Sequence, residues 1–336
     1  MRKHSFTTNG SKIFPSDTRK RSLCAAIKWK YPMKKITIAT RESRLALWQA
    51  DYVRARLVSL GWNVELLGIT TRGDKILDRT LSKVGGKALF IKELEAALTE
   101  GRADLAVHSL KDVPMEFPEG FELACVTQRD DPRDALISNY FGSLDDLPGG
   151  ARVGTSSLRR EVLLRALRPD LKIVPLRGNV ETRLRNLDHE DYDAIVLAAV
   201  GLQRLGLHHR IREIFSTERM LPPGGQGALA VEIRSDRADL RNALAPLSDR
   251  QSWICATAER AVNQALGGNC SMPLAAHAQW AGRTLSLEAA WGDATVQPVK
   301  LIRAHQTVFD PDFTAADALG GDVARRLLAS GARRFV

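Results

Sequence analysis

The fold class predicted by this sequence is α/β: two lobes with mostly parallel sheets, then a small α+β domain with a three-stranded antiparallel sheet. Three observations predict it. Strand-like apolar runs alternate with helix-period stretches from Ile36 to about Val231, and βα alternation gives a parallel sheet with helices on its faces. Two polar passages, Arg129-Asp-Asp-Pro-Arg133 and Leu221-Pro-Pro-Gly-Gly-Gln-Gly227, read as crossings between lobes. From about Pro246 the pattern becomes a helix, three strands and a closing helix.

The elements follow in order. Lys35-Ile-Thr-Ile-Ala-Thr40 reads as a strand, Arg41-Glu-Ser43 opens a helix over 46–60, and Gly61 stops it. Residues 62–69 alternate as a strand. Between Thr71 and Gly86 the pattern fails, leaving a long polar loop that is either a lid or a plain connection. Residues 90–99 place Ile91, Leu94, Ala97 and Leu98 on one helix face, ended by Gly101. Strands are expected at 104–108, 151–153, 172–175 and 193–199, and 228–233 returns the chain to the first lobe. A helix at 251–266, strands at 274–280, 284–291 and 299–308, and a helix at 313–329 complete the third part. The implied boundaries are lobe 1 at 35–127 with 228–245, lobe 2 at 128–227, and a C-terminal domain at 246–336.

The formal charge of +10 over 336 residues is unevenly placed. Residues 1–35 hold ten Lys and Arg and one acid, Asp17, which leaves the remainder near neutrality. The high pI therefore describes a tail and gives no ground for a nucleic-acid role. The segment 1–34 reads as a disordered basic extension or an upstream addition, with Met33 as a natural start. It lacks a secretory apolar core, and nothing approaches the ~20 apolar residues that cross a bilayer. Cys24, Cys125, Cys255 and Cys270 form no CxxC pair and no zinc spacing with histidines. A reducing cytoplasm and no metal are expected. Walker A, GxGxxG, HExxH and GxSxG patterns are all missing.

The strand-to-helix junctions carry the chemistry. Gly154-Thr-Ser-Ser-Leu-Arg-Arg160 and Leu176-Arg-Gly-Asn-Val-Glu-Thr-Arg183 set hydroxyls, glycine and arginines where backbone N–H groups and the helix dipole favour anions. Arg41-Glu-Ser43, Ser109-Leu-Lys111-Asp112 and Gly201-Leu-Gln-Arg204 repeat the arrangement. A single such arginine is ordinarily a solvated cap; five junctions point to a ligand with many negative groups. Asp112, among cations, stays ionised and suits stabilising a developing positive charge or exchanging a proton; a surface salt bridge is the plainer alternative. His108 reads as a satisfied core histidine. Cys125 and Cys255 read as structural, whereas Cys270, on the loop Gly267-Gly-Asn-Cys270-Ser-Met-Pro273, is a candidate reactive thiol.

These runs, with Leu45-Ala-Leu-Trp-Gln49, Thr71-Arg-Gly-Asp74, Lys83-Val-Gly-Gly-Lys87, Ala106-Val-His-Ser-Leu-Lys-Asp-Val-Pro114, Asp131-Pro-Arg-Asp134, Gly225-Gln-Gly227 and Ala258-Glu-Arg260, resemble the porphobilinogen deaminase (hydroxymethylbilane synthase) family in order from about Lys35 to the end. Two positions depart from it: Arg44 stands where proline often follows the serine, and Asn269 where glycine precedes the cysteine.

The resemblance implies two periplasmic-binding-protein-like lobes and a transferase of tetrapyrrole and heme biosynthesis. Such an enzyme joins four porphobilinogen molecules head to tail, with loss of ammonia, on a dipyrromethane cofactor, then hydrolyses off the linear tetrapyrrole. It implies Cys270 as the thioether attachment and Asp112 as the catalytic residue. Cofactor carboxylates fall to Arg41, Ser43, Lys111, Thr155, Ser157, Arg159, Arg160 and Arg177. Substrate contacts fall to Arg41, Arg177, Arg183, Arg204 and Gln226, with Lys83, Lys87 and Phe90 on a mobile loop. The implied partners are porphobilinogen and the pyrrole-chain intermediates. A cytoplasmic monomer is expected, with neither nucleic acid nor membrane. The rival reading is a two-lobed binding protein for an organic anion, which has no use for a reactive thiol in a third domain.

Overall fold

The computed structural model describes residues 35–71, 91–267 and 272–334. The readings on the extension 1–34, on the loop beyond Thr71 with Lys83, Lys87 and Phe90, and on Cys270 lie outside the described residues.

In the first sheet β1 (Lys35–Arg41) pairs in parallel with β2 (Asn63–Ile69) and β3 (Leu105–Ser109). The late strand β10 (Leu229–Arg234) runs antiparallel between β3 and β4 (Phe121–Val126), giving the order β2-β1-β3-β10-β4. The second sheet repeats the plan. Strands β6 (Arg152–Gly154), β7 (Lys172–Val174) and β8 (Ala194–Ala198) are parallel, and β5 (Asp134–Ile137) is antiparallel between β8 and β9 (Ile211–Ile214). Its order is β7-β6-β8-β5-β9. Each sheet thus takes its one reversed strand from chain that has just crossed over, the layout expected of periplasmic-binding-protein-like lobes. The third sheet is the antiparallel meander β11 (Leu274–Ala281), β12 (Thr284–Gly292) and β13 (Leu301–Phe309).

Helices α1 (Arg44–Ser59) and α2 (Lys92–Thr99) pack on the first sheet. Helices α3 (Leu158–Leu167), α4 (Val180–Asp188) and α5 (Ala199–Arg204) belong to the second. The strand expected to reach residue 199 stops at Ala198, because Ala199 already opens α5. After α6 (Ala238–Leu244), α7 (Arg250–Ala265) and α8 (Phe313–Ala329) cover the meander around Ile254, Val262, Leu285 and Leu327. Side chains cap the starts of these helices: Ser43 for α1, Ser157 for α3, Asn179 for α4, Asp249 for α7 and Asp312 for α8. Each cap is worth about 1 kcal/mol and fixes where its strand hands over to a helix.

His108 is the core histidine expected: its Nε2 lies 2.8 Å from Glu232 across the β3–β10 pair. No helix among the described residues is long and apolar enough to cross a membrane.

Candidate functional site

The site is assembled where β3 ends. Ser109 leads into a single 3₁₀ turn, Leu110–Asp112, which presents Lys111 and Asp112 beyond the carboxyl edge of the first sheet, where ligands of parallel α/β sheets bind. Three neighbours hold that turn. Gln49 of α1 donates to the Ser109 hydroxyl at 2.8 Å. Arg260 of α7 donates to the carbonyls of Val113, Pro114 and Met115 at 3.3, 2.6 and 3.0 Å. Gly225 lies against the turn with φ +77°, and a Cβ there would stand 2.8 Å from Leu110 Cγ and 3.1 Å from Lys111 N. Glycine alone permits that approach.

The second lobe brings arginines to the same space. Burial, together with Arg160 and Arg177, pulls the Arg183 guanidinium down to about 10, against the opposing pull of Asp112. The catalytic candidate of lobe 1 and three arginines of lobe 2 therefore share one field. Arg183 is held by Nε donating to the Gly178 carbonyl at 2.8 Å, while its terminal nitrogens have no hydrogen-bond partner among the described residues. Arg160 is buried, with Nη1 on the Val196 carbonyl at 2.9 Å and Nη2 on Asp134 at 2.8 Å. Its Nε is buried and has no partner among the described residues. Leaving such a donor unsatisfied costs about 1–3 kcal/mol, so this pocket is suited to an acceptor group.

Not every junction arginine offers a free fork. Arg159 spends its donors on Asp134 at 2.6 Å and on the Leu221 carbonyl at 2.7 Å. Arg204 reaches Asp130 at 2.7 Å and the Gly227 carbonyl at 2.8 Å, and its guanidinium lies 5.2 Å from the ring centre of Trp48. It thus joins both crossings and α1. Thr155 accepts from the Ser157 amide at 3.2 Å, and the Ser157 hydroxyl caps α3. Arg41 closes β1, and Ser43 caps α1 beside it. Gln226, fully buried, accepts from Lys111 Nζ at 3.0 Å and donates to Asp134 at 3.0 Å and to the Pro132 carbonyl at 2.6 Å.

Two buried acids organise this region, and the sequence assigns neither a role. Asp134 lies at the head of β5. Burial alone would raise its carboxyl, but Arg159, Arg160 and Gln226 hold it far below the usual carboxylate range. Glu259 of α7 binds Arg129 through both oxygens at 2.7 and 2.6 Å and accepts from the amides of Gly225 and Ala278, both at 2.7 Å. Burial opposes its charge, yet Arg129 and His277 bring the carboxyl down to about 2. An acid beside an apolar run, as in Asp134-Ala-Leu-Ile137, is the one local signal that either acid gives.

Cys125 and Cys255 are buried, and burial pushes both thiols up to about 12, which makes them poor nucleophiles near neutrality. No metal-holding group of His, Cys, Asp and Glu occurs among the described residues.

Comparison with known proteins bears on the whole constellation. Residues 36–242 match the family model "Porphobilinogen deaminase, dipyromethane cofactor binding domain", and 253–329 match "Porphobilinogen deaminase, C-terminal domain". A porphobilinogen deaminase of Albidiferax ferrireducens is 61% identical over 89% of this chain and 94% of its own length. One of Burkholderia mallei is 57% identical over 90% and 92%. Among solved structures, a nutrient binding protein from Burkholderia cenocepacia bound to methionine covers 62% of this chain and 90% of its own, at 16% identity and a TM-score of 0.41. That last likeness is loose, and the lobe architecture rests on strand order instead. With both family models matched in order and relatives aligned over nearly their whole length, this chain belongs to the porphobilinogen deaminase family.

Proposed function

We propose that the chain joins four porphobilinogen molecules head to tail on a dipyrromethane primer held by Cys270, losing ammonia at each addition, and then hydrolyses off the linear hydroxymethylbilane. The observation that carries this reading is the turn that presents Lys111 and Asp112 beyond the edge of the first sheet, with Arg183 of the second lobe near enough to feel the Asp112 charge and the buried Nε of Arg160 left without an acceptor among the described residues. Every pyrrole unit of such a chain bears two carboxylates. A cleft of guanidinium groups with one carboxylate suits a polyanion on which a positive charge develops.

The donors present fit the dipyrromethane. The buried Nε of Arg160 and the terminal nitrogens of Arg183 would take carboxylate oxygens. Arg41, Lys111 and Arg177, with the hydroxyls of Ser43, Thr155 and Ser157, complete the proposed cradle, while Arg159, engaged with Asp134 and the Leu221 carbonyl, supports it from behind. When bound, the group would supply the free pyrrole α-carbon that takes the first unit, each later unit joining the one before it. The Asp112 carboxylate stabilises the cation developing on the incoming porphobilinogen as its amine departs. The same carboxylate takes and returns the pyrrole proton. Gln226 fixes the Lys111 ammonium beside Asp112, and Arg204 keeps the two crossings together behind the substrate. Lys83, Lys87 and Phe90 are proposed substrate contacts. The proposed domains are 35–127 with 228–245, 128–227 and 246–336. A cytoplasmic monomer acting without nucleic acid accompanies this reading.

Intact mass tests the tether. The purified chain should exceed its sequence mass by one dipyrromethane, and Cys270→Ser should lack the increment and form no hydroxymethylbilane. An unmodified wild-type mass in a protein that turns over porphobilinogen would overturn the assignment.

A further inference from the structure

Helix α1 turns one face toward the second lobe. Its first residue, Arg44, sets Nη1 3.3 Å from Glu181 Oε1 in the first turn of α4. One turn along the same face, Trp48 lies under Arg204 of α5. Leu45, between them, is near Gly201. Ion pair and cation–ring contact thus join the lobes along one helix, and the ion pair is at the end next to Arg41 and Ser43.

The Arg44–Glu181 pair is loose. Arg44 is 65% exposed and Glu181 30%. The facing Glu181 Oε1 is a buried atom with no hydrogen bond among the described residues, so the pair is held by charge and not by a formed hydrogen bond. A pair whose cation lies largely in water and forms no hydrogen bond exchanges readily for a better acceptor. Its surroundings define that acceptor. Glu181 is two residues before Arg183, which shares its field with Asp112 and Arg177, and Arg44 is three residues after Arg41.

We propose that Arg44 is a capture residue for the incoming anionic pyrrole, with Glu181 as its internal competitor. The guanidinium faces Glu181 across the lobes. When a substrate carboxylate arrives, Arg44 transfers to it and Glu181 is released to solvent. No covalent bond changes; one ion pair replaces another. The proposal rests on the function above and concerns KM, the entry step, in place of the chemistry at Asp112.

Three variants test it, assayed with porphobilinogen on the primed enzyme. Arg44→Gln should raise KM by about three- to tenfold with kcat within about twofold, and weaken the salt dependence of kcat/KM. Glu181→Gln should lower KM by about two- to threefold by freeing the cation. In the double variant, the Glu181 change should have no effect on KM. A porphobilinogen analogue with methyl in place of aminomethyl keeps both carboxylates and cannot lose ammonia. Its dissociation constant by calorimetry should follow the same pattern. A pair that merely latches the lobes gives both single variants the same direction, and that result, or an unaltered KM in Arg44→Gln, overturns the inference. Normal turnover without this pattern overturns this inference alone; failure of the unaltered chain to consume porphobilinogen overturns the proposed function and this inference with it.

Discussion

Gln226 binds Lys111 of the first lobe through Oε1 at 3.0 Å, and through Nε2 it binds Asp134 of the second at 3.0 Å. One buried amide from the returning crossing therefore ties the Leu110–Asp112 turn to the acid beneath the arginines. Gln226→Leu should release the Lys111 ammonium and strip a donor from Asp134. The expected loss is about 1–3 kcal/mol of unfolding free energy and at least a tenfold drop in kcat/KM. Urea denaturation and steady-state assay check the two effects.

Asp134→Asn leaves Arg159 and Arg160 buried without their shared counter-charge. Removing one partner of such a cluster costs about 3–5 kcal/mol. The variant should melt well below the wild type and accumulate little dipyrromethane, read by calorimetry and intact mass.

Asp112→Asn keeps the shape of the turn and removes its charge. Turnover should fall roughly a hundred- to a thousandfold, the usual cost of deleting one electrostatic stabiliser of a transition state. Circular dichroism should be unchanged. Wild-type turnover would remove Asp112 from the mechanism.

Acid should loosen the contact between α7 and the crossings. The Glu259 carboxyl lies at about 2 in the folded chain against a usual 4.5. A depressed carboxyl contributes stability that is present above about 4.5 and is lost as pH falls from there through about 2. Urea midpoints measured between pH 5 and 2 should decline in this window, and Glu259→Gln should flatten the decline from a lower starting stability.

Thiol labelling separates the cysteines. With burial holding Cys125 and Cys255 at about 12, a maleimide at pH 7 should modify neither in the native protein and both after unfolding. Peptide mapping reads the result.

Much of the architecture was open to inspection in the sequence because it is encoded locally. The apolar period of 313–329 defines α8 at its observed ends, and Ser43, Ser157 and Asn179 mark helix starts in their own side-chain chemistry. The junction runs likewise announce cations at strand ends. What stayed hidden depends on partners far along the chain. Asp134 stands just past the crossing read at 129–133 and gets no role of its own, since nothing near it says that Arg159 and Arg160 will close over it. Glu259 reads as one more polar residue on a helix until Arg129 and the Gly225 amide are brought to it. For the same reason Arg159 and Arg204 look like open donors in the sequence and are engaged inward in the fold.

The neighbours Glu259 and Arg260 have a consequence for biosynthesis. The first clasps the Gly225 amide and the second the three carbonyls leaving the Asp112 turn. Strand β10, needed to complete the first sheet, also comes late. On the ribosome, then, the first-made lobe must wait, partly unfinished, for chain emerging long afterwards. Such distant closure is slow, and a message truncated before α7 would yield a polypeptide rich in strands and helices whose Asp112 turn has lost its tether.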